Sequence, residues 1–253
     1  MCDGVAWARG RVYKAVMRRM FLVGTDTDCG KTTVACALLR ALRARGVRAL
    51  PFTPAASGPE GPQADPELLV NASGIAGLRV VEICPLRYVD AVAPGLAEAG
   101  AEDMSVWTGM DWRAGERSST VLGVAAALAE AEARYVPDVT IVEGAGGLWV
   151  PMPGGTWLPA WISGLGATPV VVGRLGLGTI NHCLLTIAGL RGLGLAPCGF
   201  ILTQTVTRSD ASELHNERVI AAASGLPCLG VLAFGTGPED HAWVRPEGWR
   251  LLG

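Results

Sequence analysis

No run in this 253-residue sequence approaches the ~18 consecutive apolar residues that a membrane-spanning helix requires, so no membrane partner is expected. Basic charge is not in excess either. There are 21 Lys and Arg against 23 Asp and Glu, and the net charge of −2 excludes the basic face of a nucleic-acid-binding domain. Lysine is nearly missing, with Lys14 and Lys31 the only two. The seven cysteines are odd in number and form no Cys-x-x-Cys pair. That argues against a disulfide framework or a zinc site and for the reducing cytoplasm. No internal repeat and no change of composition marks a second domain. Residues 1–19 stand apart as a basic extension (Arg9, Arg11, Lys14, Arg18, Arg19) with no secretory cleavage pattern, which leaves 20–253 as one expected α/β domain.

Half of the residues are hydrophobic, ample for a core, and one stretch organises them. The apolar run Met20-Phe-Leu-Val23 leads into Gly24-Thr-Asp-Thr-Asp-Cys-Gly-Lys-Thr-Thr33, and a helical pattern follows from Val34 to Arg43. Strand, glycine-rich turn and helix in this order form a phosphate cradle, with backbone N–H groups and the helix N-terminus facing the anion. Lys31 is the cation for the terminal phosphates and the Thr32 hydroxyl is a Mg2+ ligand. Five residues, Thr25 to Cys29, separate the two glycines, one more than the usual ~4 of a P-loop.

Further along, Val47–Phe52 reads as a second strand, and Thr53-Pro-Ala-Ala-Ser57-Gly58 as a loop at its carboxyl end, where open α/β sheets bind ligands. Asp65 and Pro66 open a helix, so Asp65 is either a helix cap or a metal ligand. Val80–Ile83 reads as a short strand, 98–116 as a loop with a short helical piece, and Ser118–Arg134 as a crossover helix.

Asp138–Val142 is a buried strand that ends in Glu143 and the small-residue turn Gly144-Ala145-Gly146-Gly147. A carboxylate at a strand end beside a phosphate loop orients Mg2+, and this raises the metal reading of Asp65. Residues 149–155 read as a loop, and Leu158–Leu165 as a helix. A strand at Thr168–Val172 is followed by a second glycine turn through Gly176 and Gly178 to His182, then a helix from Cys183 to Leu193. That turn is a second anion site. Strands at 198–204 and 228–234 flank a helix at 212–224, and the tail from 235 has no clear pattern. Alternating strands and helices give an α/β fold with a doubly wound, mainly parallel sheet of the P-loop NTPase type.

Four motifs carry a resemblance: Gly-Thr-Asp-Thr-x-x-Gly-Lys-Thr-Thr at 24–33, Pro-x-x-Ser-Gly at 54–58, Val-Glu-Gly-Ala-Gly-Gly at 142–147 and Gly-Leu-Gly-Thr-Ile-Asn-His at 176–182. In order and spacing, from about residue 19 to 235, they resemble the dethiobiotin synthetase family. The resemblance implies a homodimeric ligase of biotin biosynthesis that uses Mg-ATP and CO2 to close a ureido ring on 7,8-diaminononanoate. It implies Thr27 and Lys31 at the carbamate and the transferring phosphate, and Thr32, Asp65 and Glu143 on Mg2+. Asp28, Cys29, Gly30, Lys31, Thr32 and Thr33, with Gly144, Ala145 and Gly146, would wrap the nucleotide, and Thr203 and Gln204 would meet the adenine. Ser57 would touch the diamine. Gly178, Thr179, Ile180 and Asn181 would hold the substrate carboxylate across the dimer interface. One catalytic position departs from the family pattern: its Lys-Pro-x-x-Ser-Gly reads Thr53-Pro54 here, which removes a fixed cation. Arg87 and Arg113 are the candidate replacements. Two readings therefore stand, an active synthetase with a compensated site and a nucleotide-binding relative with a regulatory or scaffolding role.

Overall fold

The computed structural model describes residues 19–99, 111–207, 211–237 and 240–252. At its centre is a parallel sheet of six strands: β1 (Arg19–Gly24), β2 (Ala49–Phe52), β5 (Val139–Gly147), β8 (Thr168–Arg174), β9 (Gly199–Thr203) and β10 (Cys228–Leu232). Their order across the sheet is β10-β9-β8-β1-β5-β2. Met20, Phe21, Leu22 and Val23 of β1 are all 0–1% exposed. Both faces of this strand are covered, which is why its sequence is a continuous apolar run instead of an alternation. β1 pairs with β5 on one side (Phe21 with Val142) and with β8 on the other (Leu22 with Val170). The chain leaves β1 toward β2, and later crosses from β5 to β8 on the far side. The switch in direction therefore falls at the carboxyl end of β1, where such sheets form their ligand crevice.

Helices α1 (Lys31–Ala44) and α2 (Asp65–Ser73) pack beside each other near β2, and α6 (Ser119–Tyr135) carries the crossover into β5. Val121, Val124, Leu128 and Ala131 form the buried stripe of α6, and Ser118 caps it by accepting the N–H of Val121 at 3.2 Å. Helix α7 (Leu158–Gly164) leads to β8, α8 (Thr179–Gly192) to β9, and α9 (Glu213–Ser224) to β10. Trp161, fully buried on α7, donates its indole N–H to Thr156 Oγ1 at 2.7 Å, so its one polar atom is satisfied inside the core.

The structure corrects several expectations. Arg19 belongs to β1, not to the preceding extension: its guanidinium grips Glu132 on α6 (2.9 and 2.6 Å) and the carbonyl of Leu165 (2.6 Å). Val80–Ile83 is a one-turn helix, α3, and not a strand, because Glu82 reaches back to the Arg79 N–H at 2.9 Å and closes a capping box. The strand lies further on, as β4 (Leu86–Tyr88), paired in parallel with β3 (Ala55–Ser57) inside the segment read as a loop. Asp65 sits within the first turn of α2, with Ala64 at the cap position. Residues 149–155 are not all loop: β6 (Pro151–Met152) pairs antiparallel with β7 (Thr156–Trp157). Short helices α4 (Pro94–Ala99), α5 (Trp112–Gly115) and α10 (Pro246–Leu252) complete the described chain. Trp112 is buried packing, whereas Trp107 lies outside the described residues. Helix α8 starts at Thr179, so Thr179 to His182 are its first turn and not part of the preceding loop.

Candidate active site

A cleft of about 1270 Å³ opens at the carboxyl edge of the sheet. Its floor is the loop between β1 and α1. Asp28 (φ 55°) and Gly30 (φ 92°) take left-handed backbone there, which turns the chain into the first, unpartnered N–H groups of α1. Asp is among the residues that tolerate this conformation. Gly30 has a second reason to be glycine, since a Cβ would overlap the Thr203 hydroxyl. That hydroxyl donates to the Cys29 carbonyl at 3.2 Å and so braces the loop from β9. Cys29 is fully buried and does not line the cleft, whereas Thr27, Asp28, Gly30, Lys31, Thr32 and Thr33 do.

Lys31 is only 7% exposed and its ammonium lies 3.3 Å from the Asp26 carbonyl. Asp26 in turn pairs with Arg174 at the end of β8 (3.1 Å) and accepts the Thr27 N–H (2.8 Å). Thr32 donates its hydroxyl to Glu143 Oε1 at 2.6 Å. The other carboxylate oxygen, Glu143 Oε2, is buried with no hydrogen-bond partner. Burial, reinforced by the charge of Asp65, pushes the Glu143 carboxyl up to about 8, against the Thr32 hydrogen bond and the Lys31 charge, which favour ionisation.

A hydroxyl, a half-satisfied carboxylate and a second nearby carboxylate are hard oxygen ligands of the kind Mg2+ takes. Among the described residues no group of three or more His, Cys, Asp or Glu side chains is placed to hold a metal, so a divalent ion here would draw its remaining ligands from phosphates and water. The orphaned Glu143 oxygen fits such an ion.

Gly144, Ala145, Gly146 and Asp65 line the same cleft, as do Thr53, Ser57, Thr203 and Gln204. Gln204 Oε1 accepts the Phe234 N–H at 3.1 Å. Thr53 is 4% exposed and its hydroxyl, like Glu143 Oε2, has no partner. Of the two cations considered for the place of a lysine there, Arg87 lines the cleft and is held by Glu67 (2.8 Å) and Glu60 (3.7 Å). Arg113 does not line the cleft: it lies over the Trp112 ring and donates to the Leu193 carbonyl. Gly178, Thr179, Ile180 and Asn181 also lie outside the lining of this cleft, and the Thr179 hydroxyl is turned onto Cys183 Sγ at 3.6 Å.

Arg40 lines the cleft too and was not singled out from sequence. The signal was present, because Thr33, Cys36, Ala37 and Arg40 repeat at the spacing of one helix face. Cys36, on that face, has its thiol pushed up to about 12 by burial and stays neutral. Phe234, Thr236 and Asp240, from the stretch after β10, close the far end of the cleft.

A parallel sheet with a glycine loop entering a helix, a lysine buried beside it and a strand-end carboxylate bonded to the adjacent threonine define a P-loop α/β protein of the nucleotide-binding class. Two solved structures share the fold. Chloroplast FtsY from Physcomitrella patens aligns with TM-score 0.53 and 15% identity over 88% of this chain. The signal recognition particle 54 kDa protein from Aeropyrum pernix K1, in complex with GDP, aligns with TM-score 0.54 and 15% identity over 93% of this chain. The chain spans 60% and 46% of the lengths of those two proteins.

Sequence relatives narrow the class. The chain belongs to the dethiobiotin synthetase family. A family model described as AAA domain matches residues 18–236. The ATP-dependent dethiobiotin synthetase BioD of Anaeromyxobacter dehalogenans (strain 2CP-C) is 39% identical over 85% of this chain and 90% of its own length. That of Pseudomonas paraeruginosa (strain DSM 24068 / PA7) is 34% identical over 85% of this chain and 89% of its own.

Proposed function

We propose that this protein is an ATP- and Mg2+-dependent ligase that closes a ureido ring on 7,8-diaminononanoate with CO2, giving dethiobiotin. The observation that carries the reading is the Thr32–Glu143 pair beside buried Lys31, at the mouth of the glycine loop. One substrate amine adds to CO2 and loses a proton, forming a carbamate. The carbamate oxygen takes the γ-phosphoryl group of ATP, releasing ADP. The second amine then attacks the carbamoyl carbon and expels phosphate.

Such a sequence needs positioning and positive charge more than covalent catalysis. Lys31 neutralises the transferring phosphoryl group, and the N–H groups of Gly30 to Thr33 cradle the phosphates. Thr32, Asp65 and Glu143 would hold Mg2+, which supplies charge stabilisation at the phosphate oxygens when bound. Thr27 orients the carbamate, Ser57 contacts the diamine, and Thr203 with Gln204 borders the base. The substrate carboxylate is received by the first turn of α8 from a second copy of the chain, a role supported by the position of Gly178–Asn181 outside their own cleft. The free thiols of Cys29, Cys36, Cys84, Cys183 and Cys228 support a reducing, cytoplasmic setting.

Thr53 favours the second reading, a nucleotide-binding relative that does not turn over. The test is to mix the purified protein with 7,8-diaminononanoate, bicarbonate and Mg-ATP and to follow dethiobiotin by mass spectrometry together with ADP. Product from the wild type supports the synthetase. Product only from Thr53→Lys means a disabled scaffold. Silence from both, with nucleotide still bound, sinks the biotin reading.

A further inference from the structure

Three cationic side chains line the cleft, Lys31, Arg40 and Arg87. Lys31 belongs to the glycine loop, where its ammonium rests on the Asp26 carbonyl. Arg40 lies nine residues later on α1, which carries its backbone about 13 Å away at ~1.5 Å per residue. Arg87 comes from the opposite wall. β4 pairs with β3 so that Arg87 stands opposite Ala56, and both line the cleft together with Ser57.

The Arg87 guanidinium is held by one edge. Nη1 and Nη2 donate to the two oxygens of Glu67, in the first turn of α2, at 2.8 and 3.4 Å. Both side chains are 22% exposed, so a mostly buried bidentate pair fixes the plane of the fork. The second edge, formed by Nε–H and the remaining N–H of Nη2, is left over by this pairing. Glu60 stands before it with its carboxylate 3.7 Å from Nε, beyond hydrogen-bond reach. Its side chain is 72% exposed, on the turn between Gly58 and Gly61 (φ 115° and 150°). So long and exposed an ion pair contributes little and yields readily to an anion that fits better. The two N–H groups of that edge are parallel and lie in one plane, so what fits is a planar group with two oxygens on one carbon. The Glu60 carboxylate marks its approach.

We propose that the Nε–Nη2 edge of Arg87 binds the carbamate formed on the diamine, and that Glu60 gives up this edge when the carbamate arrives. This rests on the diamine reading given above. Glu67 is then a positioning residue that acts through Arg87. Bicarbonate and the substrate's own carboxylate present the same pair of oxygens, and the test separates them from the carbamate.

The full chain is titrated with 13C-bicarbonate in the presence of 7,8-diaminononanoate, and protein-bound carbamate is followed by 13C NMR. Kd for a non-hydrolysable ATP analogue with Mg2+ is measured alongside. Arg87→Met is expected to raise the bicarbonate concentration that half-fills the carbamate resonance at least about tenfold, the size of one charge-assisted contact, with the nucleotide Kd unchanged. Glu60→Gln should lower that concentration about twofold by removing the competitor, an effect that a merely structural Arg87 would not show. Glu67→Gln, whose amide oxygen still takes one N–H of the guanidinium, should keep the resonance. A carbamate resonance unchanged in Arg87→Met overturns the proposal. So does one lost as completely in Glu67→Gln with weakened nucleotide binding, which would make Arg87 only a tie to α2. An Arg87→Met effect on bicarbonate binding without the diamine, or on diamine binding without bicarbonate, assigns the edge to those anions and overturns the carbamate role. A wild type that shows no bound carbamate overturns the diamine reading itself, and that failure is recognisable because it appears before any variant is made.

Discussion

Lys31 and Gly30 put most of the site's chemistry into two adjacent residues. The Lys31 ammonium rests 3.3 Å from the Asp26 carbonyl, and Asp26 is tied to Arg174 at the end of β8, so the loop that carries that carbonyl is braced from a second strand. Preorganised charge of this kind is commonly worth about 10²–10³ in rate. Lys31→Met should lower kcat by that factor while leaving the urea midpoint within error of the wild type, which steady-state kinetics and denaturation by circular dichroism will check. Gly30 is constrained differently. At φ 92°, and with the Thr203 hydroxyl where a Cβ would go, Gly30→Ala meets both strain and a clash. A cost of about 1–3 kcal/mol is expected for such a position, read as a lowered urea midpoint together with weakened nucleotide binding. That Gly30 packs against Thr203 was not legible beforehand, because the two are 173 residues apart and nothing in either local sequence encodes their meeting. The glycines, Lys31 and Thr32 were legible, because their spacing within a strand–turn–helix unit is itself the signal, and Glu143 was legible as a carboxylate that follows an apolar strand run and precedes a small-residue turn.

At the level of elements, the long parallel strands announced themselves as unbroken apolar runs, and α6 as a stripe at helical spacing. The short elements did not. β3 and β4 have three residues each, too few to show any period, and their pairing depends on bringing Ala55 beside Leu86. Val80-Val-Glu-Ile83 has the β-branched composition of a strand, yet Glu82 forms a helix turn by bonding back to Arg79. Glu82 does more than cap. It receives the Tyr135 hydroxyl (2.8 Å) and pairs with Arg134 (3.1 Å), fastening α3 to the end of α6. The Arg79 hydrogen bond, aided by Tyr135 and Arg134, holds its carboxyl down at about 2, below the ordinary 4.5. A depressed carboxyl contributes its stability fully above the unfolded value and loses it as pH falls through the folded one. The urea midpoint should therefore decline between pH 4.5 and about 2. Glu82→Gln should start lower at neutral pH and show a shallower decline over the same window. Parallel slopes for the two proteins would remove Glu82 from the acid response.

Across the whole molecule, the six-stranded sheet gathers the ends of β1, β2, β5, β9 and β10 around one cleft, while the loop after β8 faces elsewhere. That loop presents Leu177 at 90% exposure, immediately before the helix start at Gly178 (φ 93°), and α8 exposes Leu185 at 63%. An apolar side chain held so far into solvent beside the glycine turn that opens α8 is understandable if a second copy of the chain covers it and receives that turn at the edge of its own cleft. The cleft alone would then bind nucleotide, and only the pair would hold the diamine's carboxylate. Leu177→Asp places a desolvated charge in such a contact, and buried apolar anchors near an interface centre commonly cost about 2 kcal/mol or more when lost. The wild type is expected to sediment as a dimer and Leu177→Asp as a monomer. In the variant, kcat/KM for the diamine should fall at least about tenfold, since every 1.4 kcal/mol is tenfold. The nucleotide Kd should stay close to the wild type, because no part of the glycine loop between β1 and α1 has been altered. Analytical ultracentrifugation and calorimetry separate the outcomes: a Leu177→Asp dimer with normal diamine kinetics would return the α8 turn to a structural role and leave the cleft to work within one chain.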